Sequence, residues 1–142
     1  MLGSAAGAQA AGEASVLCSW EILVMMSHYD ETCSLEENPE MTRALADSIA
    51  QLEGFIALHS GVPNTPGLLA NKREALRQAL VEGIEVGRAS GLDPCSDKEE
   101  GGIAGLYREF ARNNPPAVLR AWVTDDLAEA ETRQHPLAGI CI

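Results

Sequence analysis

The first 42 residues contain no lysine or arginine, and Arg43 is the first basic residue. The same stretch carries seven acids: Glu13, Glu21, Asp30, Glu31, Glu36, Glu37 and Glu40. Over the whole chain, 10 basic residues face 21 acidic ones, giving a formal net charge of −11. That balance argues against non-specific nucleic-acid binding, which draws on Lys and Arg contacts to phosphate. It argues equally against electrostatic docking to an anionic membrane. Long hydrophobic runs are missing too. The longest, Ile22 to Met26, is far short of a membrane span. No C-x-x-C pair is present, which disfavours a zinc knuckle or a thioredoxin-like motif. There is no G-x-x-x-x-G-K-[ST], no strand-borne G-x-G-x-x-G, no H-E-x-x-H, no G-x-S-x-G and no EF-hand loop. Gly101-Gly102 has no Lys-Ser/Thr partner and is not expected to cradle phosphate.

What remains is a chain of 142 residues with 46% apolar and 22% charged side chains, an ordinary globular balance. At that length it can bury about two thirds of its unfolded surface. Residues 1–12, MLGSAAGAQAAG, are uncharged and small, and Ala8-Gln9-Ala10 fits the small-x-small pattern of a signal-peptidase site. The positive region and most of the apolar region of a leader are missing. Two readings stay open. Residues 1–12 are the remnant of a signal peptide, or a flexible Ala/Gly terminus of a cytoplasmic protein. The four cysteines, Cys18, Cys33, Cys95 and Cys141, favour export, because an even set reads as two disulfides.

Gly, Pro and Asn punctuation divides residues 13–142 into five helical segments with no sustained period-two alternation. The first runs from about Glu13 to Asp30, with Val16, Leu17, Trp20, Leu23 and Val24 on its stripe. The second opens at Asn38-Pro39-Glu40, with Asn as cap and Pro at the first helical position. Its stripe is Met41, Leu45, Ile49, Leu52 and Ile56, and Ser60-Gly61 ends it. The third opens at Thr65-Pro66 by the same cap logic and runs to about Ser90, with Gly91 as terminator. Leu69, Leu76, Leu80 and Ile84 face its core. Ala79, Gly83 and Gly87 predict close approach by a neighbouring helix. The fourth starts at the capping box Ser96-x-x-Glu99 and presents Ile103, Leu106, Tyr107 and Phe110. The fifth starts at Asn114-Pro115-Pro116 and presents Leu119, Trp122, Val123 and Leu127. Residues 133–142 read as an extended tail. The expected fold is an all-α, four- or five-helix bundle stapled by two disulfides.

Helix geometry prunes the three possible cysteine connectivities. Residues 18 to 30 span roughly 18 Å at 1.5 Å per residue, too far for a Cys18–Cys33 bridge. In an up-down bundle the first and third helices end on the same side. That predicts Cys33–Cys95, leaving Cys18–Cys141 to pin the tail. The alternative is Cys18–Cys95 with Cys33–Cys141.

The densest polar cluster is Ser27-His28-Tyr29-Asp30-Glu31-Thr32-Cys33. A metal site would use His28, Asp30 or Glu31 with His59, but an antiparallel second helix puts His59 at the far end. The plainer reading is a solvated helix C-terminus. His28 and Cys33 are five apart and do not share a face, which disfavours a nucleophile and base. Asp125-Asp126 with Glu129 and Glu131 reads as a solvated acidic face, because adjacent helical residues diverge by about 100°. Glu36-Glu37 and Glu40 lack the Asp/Asn/Gly-rich turn of a calcium site. His59 reads as a helix-end residue and His135 as exposed. Trp20, Trp122, Met25 and Met26 read as core.

With no catalytic constellation, no metal site and no cofactor motif, the expectation is a binding role and not an enzyme. A small periplasmic or secreted helical protein would work through protein contacts with a basic partner, as an inhibitor, immunity protein or accessory subunit. The alternatives are a periplasmic small-molecule or metal-binding module with a pocket near Trp20 and Met25, and a virion or assembly component.

Overall fold

A computed structural model describes residues 15–35, 38–96 and 102–139. Among these residues there are five helices and no strand. They are α1 (Val16–Cys33), α2 (Pro39–His59), α3 (Thr65–Ala89), α4 (Ile103–Asn113) and α5 (Pro116–Glu131).

The ends are set by local chemistry. The Ser15 hydroxyl accepts the Cys18 N–H and caps α1. This helix runs one turn past the expected Asp30. It stops at Ser34, whose left-handed backbone (φ 52°) lets its N–H reach the Asp30 carbonyl. Asn38 caps α2 as expected, its side chain accepting the Glu40 N–H at 2.9 Å. Gly61 (φ 67°) follows the end of α2. The cap logic at Thr65 needs correction. The cap position is Asn64, in the left-handed region, and Thr65 is the first helical residue; its hydroxyl donates to the Val62 carbonyl. Helix α4 begins at Ile103 behind Gly102, with no side-chain cap. Glu99 and Gly101 lie outside the described residues, as do Glu13, Glu36, Glu37, Cys141 and residues 1–12.

Hydrogen bonds give the helix directions. Thr42 meets Asp30 and Glu53 meets Trp20, so α1 and α2 are antiparallel. Arg120 meets Asp47, Thr124 meets Gln51 and Glu131 meets His59, so α5 runs parallel to α2 in register. By the same logic α5 is antiparallel to α1, and the Ser19 hydroxyl donates to Asp126 across that seam. The main core joins Val16, Trp20, Leu23 and Val24 of α1 to Met41, Leu45, Ile49, Leu52 and Ile56 of α2. Leu119, Val123 and Leu127 of α5 and Tyr107 of α4 complete it. A second cluster, Leu80, Ile84 and Cys95, packs against Met25, Tyr29 and Cys33.

The expected Cys33–Cys95 disulfide is present, with Cα atoms 5.4 Å apart and a sequence separation of 62. It ties the end of α1 to the chain just after α3, because the two helices end on the same side. The second expected bridge, Cys18–Cys141, falls outside the described residues with Cys141. The preceding tail does return to α1. Leu137 packs on the main core, and a Cβ added to Gly139 would lie 2.8 Å from the Ser15 Cα.

Four packing expectations are overturned. Leu17 is 41% exposed, because Val16, Trp20, Leu23 and Val24 aim α1 at the core and leave Leu17 off that stripe. Trp122 is 45% exposed, because Leu119, Val123 and Leu127 aim α5 at the core and Trp122 stands about 100° round from Val123. Leu106 is 53% exposed, because α4 buries Ala104, Tyr107 and Ala111 instead. Gly83 and Gly87 do not admit a neighbouring helix. A Cβ on Gly83 would meet open space, and one on Gly87 would meet the Pro94 ring at 2.8 Å. Gly87 thus makes room for the chain that folds back after α3.

Candidate functional site

The polar cluster at the end of α1 is not simply a solvated helix end. Asp30 is only 4% exposed. It continues the buried stripe Val16, Trp20, Leu23 by helical spacing, so the backbone turns its carboxylate inward. Its Oδ2 accepts the Thr42 hydroxyl of α2 at 3.0 Å and the Tyr107 hydroxyl of α4 at a longer 3.4 Å. Its carbonyl accepts the N–H groups of Ser34 and Leu35, closing α1. One residue thus ends a helix and joins three. A cleft of about 330 Å³ opens beside it, lined by Ser27, Asp30, Glu31, Ser34 and Thr42.

A second polar circuit links α1, α2 and α3. The buried Trp20 indole N–H donates to Glu53 at 2.9 Å. Arg73 donates to the same carboxylate oxygen at 3.3 Å. The Arg73 carbonyl in turn accepts from His28 Nε2 at 3.0 Å. Burial lowers the His28 pKa below its usual value, and the nearby Arg73 and Arg77 charges act the same way. The bond to the Arg73 carbonyl and the Glu31 carboxylate oppose that shift. A shallower cleft of about 260 Å³ lies here, lined by His28, Ala70, Arg73 and Glu74.

The remaining sequence candidates are dispersed. His59 is spent on Glu131 at 2.9 Å, at the other end of α2 from Asp30. His28 and His59 lie about 20 Å apart along the bundle axis by helix rise. Among the described residues no group of three His, Cys, Asp or Glu side chains could hold a metal. Cys33 is in a disulfide and is no nucleophile. Trp20 belongs to the main core and Met25 to the second cluster. On α5, Asp126 serves Ser19 and Glu131 serves His59, while Asp125 and Glu129 face outward. Among the described residues no helix is long and apolar enough to cross a membrane.

Sequence reasoning placed Asp30 in the right cluster but on the wrong side of the helix surface. Two signals would have corrected it: its spacing from Val16, Trp20 and Leu23, and a tyrosine on the α4 stripe whose hydroxyl requires a partner once buried.

No protein-family model, curated protein or solved structure matches the chain.

Proposed function

We propose that this is an exported, disulfide-stapled helical protein that acts by holding another protein, of basic character, and not by catalysis. The observation that carries the reading is the Cys33–Cys95 bridge. Disulfides of this kind form and persist in oxidising compartments, the periplasm or the extracellular space. The binding role draws on how the polar side chains are used. Asp30, Glu53, His28 and His59 each hold one helix to another. The chain as a whole carries a net charge of −11, which suits a cationic partner and steers its approach.

The test has two arms. The chain is expressed with an export leader and, separately, in a reducing cytoplasm, and intact mass is taken with and without reductant. The exported form should be fully oxidised and more resistant to urea. Chemical crosslinking in the source envelope fraction should then give a stoichiometric complex with a protein of high pI. A protein that folds equally well with all thiols reduced, and that crosslinks to nothing basic, overturns the proposal.

A further inference from the structure

The reading above leaves open which surface does the holding. Helix α5 answers on chemistry. Its outward stripe holds Val118 and Trp122 four residues apart, then Asp125 and Glu129 three and seven residues further on. These positions share one side of a helix. Val118 and Trp122 are 39% and 45% exposed, and both acids are exposed. The Ser19–Asp126 hydrogen bond sets the level of α1 against antiparallel α5. From that point Ile22 lies about 4.5 Å along α1 and Trp122 about 6 Å back along α5, in the same direction. Ile22, 38% exposed, therefore stands at the level of Trp122. Val118 and Trp122 thus make an apolar stretch on the exposed side of α5 with carboxylates at one end, and Ile22 lies exposed at the same height on α1.

The charge on these two helices is mostly negative. Helix α1 has no Lys or Arg, and the single cation of α5, Arg120, faces α2 and is paired with Asp47 at 3.1 Å. Glu129 has Arg133 at 3.7 Å, while Asp125 has no ion pair among the described residues. Trp is the side chain most enriched where binding energy concentrates, and a wide indole on a rigid helix loses little freedom when covered. From this arrangement we infer that Val118, Trp122, Asp125 and Glu129 of α5 form the docking surface for an amphipathic, Lys/Arg-bearing helix of a partner protein. The inference rests on the binding role proposed above. The partner's apolar face covers Trp122 and Val118, and its cations meet Asp125 and Glu129. A second copy of this chain does not fit, since it would bring a further charge of −11 against the same carboxylates. An anionic membrane is disfavoured on the same ground.

The probe is a synthetic Leu/Lys amphipathic helical peptide, titrated into the oxidised full chain at physiological salt. A Leu/Glu peptide of the same pattern is the control. The Leu/Lys peptide should bind saturably and the Leu/Glu peptide should not. Trp122→Ala should weaken binding by about tenfold or more, as for a central anchor. Asp125→Asn should weaken it several-fold. Glu82→Gln with Glu85→Gln, on the exposed side of α3, should leave it unchanged. Unchanged circular dichroism and melting of Trp122→Ala rule out misfolding, as does retained binding by Trp122→Phe. The docking surface is overturned by four results: absence of saturable binding, equal loss in the α3 variant, self-association that Trp122→Ala abolishes, or vesicle binding that it abolishes. If Trp122→Ala still crosslinks to a basic partner in the envelope fraction, this surface is wrong and the binding role stands. If the wild type crosslinks to none, the binding role fails whatever the peptide does.

Discussion

The Thr42 hydroxyl donates to the Asp30 carboxylate at 3.0 Å, binding the start of α2 to the end of α1. The same oxygen receives the Tyr107 hydroxyl from α4, 77 residues away in sequence. A buried carboxylate is costly unless its neighbours satisfy it, and here they come from different helices. The polar node therefore specifies how α1, α2 and α4 meet.

Asp30→Ala should lower unfolding free energy by about 2–4 kcal/mol, because it removes the carboxylate that both hydroxyls donate to and leaves a hole. Tyr107→Phe removes the longer of the two bonds to Asp30 and should cost about 1 kcal/mol. Urea titration of both variants checks the ranking. Equal stability of Asp30→Ala and the parent would remove the node from the account.

The Cys33–Cys95 bridge closes a loop with a sequence separation of 62 residues. By the chain-entropy model, losing such a crosslink costs about 4 kcal/mol. Cys33→Ser with Cys95→Ser should therefore melt well below the oxidised parent in a thermal scan. A reduced protein that melts at the same temperature would show that helix packing alone holds the fold.

Gly139 sits with its Cα where any side chain would strike Ser15, and its φ of 147° is one that other residues rarely adopt. Cys18 lies three residues after Ser15, and Cys141 lies two after Gly139. Non-reducing peptide mapping should return a Cys18–Cys141 peptide beside Cys33–Cys95, and Gly139→Val should lower the yield of the former. A Cys18–Cys33 or Cys18–Cys95 peptide would contradict this.

The extents of α1, α2, α3 and α5 and the Cys33–Cys95 pairing were legible from local rules, whereas α4 starts at Ile103 behind Gly102 and not at the Ser96 capping box. Asn38-Pro39 starts a helix, Gly61 and Gly91 stop two, and parallel helices end on one side. The Asp30 node was not, since whether an acid at a helix end points inward depends on Thr42 and Tyr107 arriving there. The facing of α4 was misjudged for a related reason. Its small residues, Ala104 and Ala111, bury better beside Tyr107 than Leu106 does, and residue size reveals that only once the neighbouring helix is known. Gly87 looked like a helix crossing, whereas the obstacle it avoids is Pro94.

The two tryptophans look alike in sequence and should behave oppositely. Trp20 is 2% exposed and donates to Glu53, whereas Trp122 is 45% exposed. Trp20→Ala should cost about 3–5 kcal/mol and strand a carboxylate that Arg73 alone must then satisfy. Trp122→Ala should stay within about 0.5 kcal/mol of the parent. Fluorescence gives a second reading, because iodide should quench the Trp122 emission and leave that of Trp20. Comparable destabilisation by both substitutions would mean that α5 buries the face assigned to solvent.

His28 supplies the pH dependence. Burial lowers its folded-state pKa below the ordinary value of 6.5, aided by the charges of Arg73 and Arg77 and resisted by the Arg73 carbonyl and Glu31. The unfolded chain then binds the proton more readily than the native one. Above about pH 7 both states are neutral and the residue contributes no slope. As pH falls through 6.5 the unfolded state gains protons first, so stability is lost from there down to the folded-state value. Protonation also sets the imidazolium against the charges of Arg73 and Arg77 on α3. His28→Gln keeps a donor for the Arg73 carbonyl but cannot titrate. Urea midpoints measured from about pH 7.5 to pH 5 should fall more steeply for the parent than for His28→Gln, the two converging in slope above about pH 7. Parallel curves throughout would place the acid sensitivity of this protein on its carboxylates and not on the α1–α3 contact.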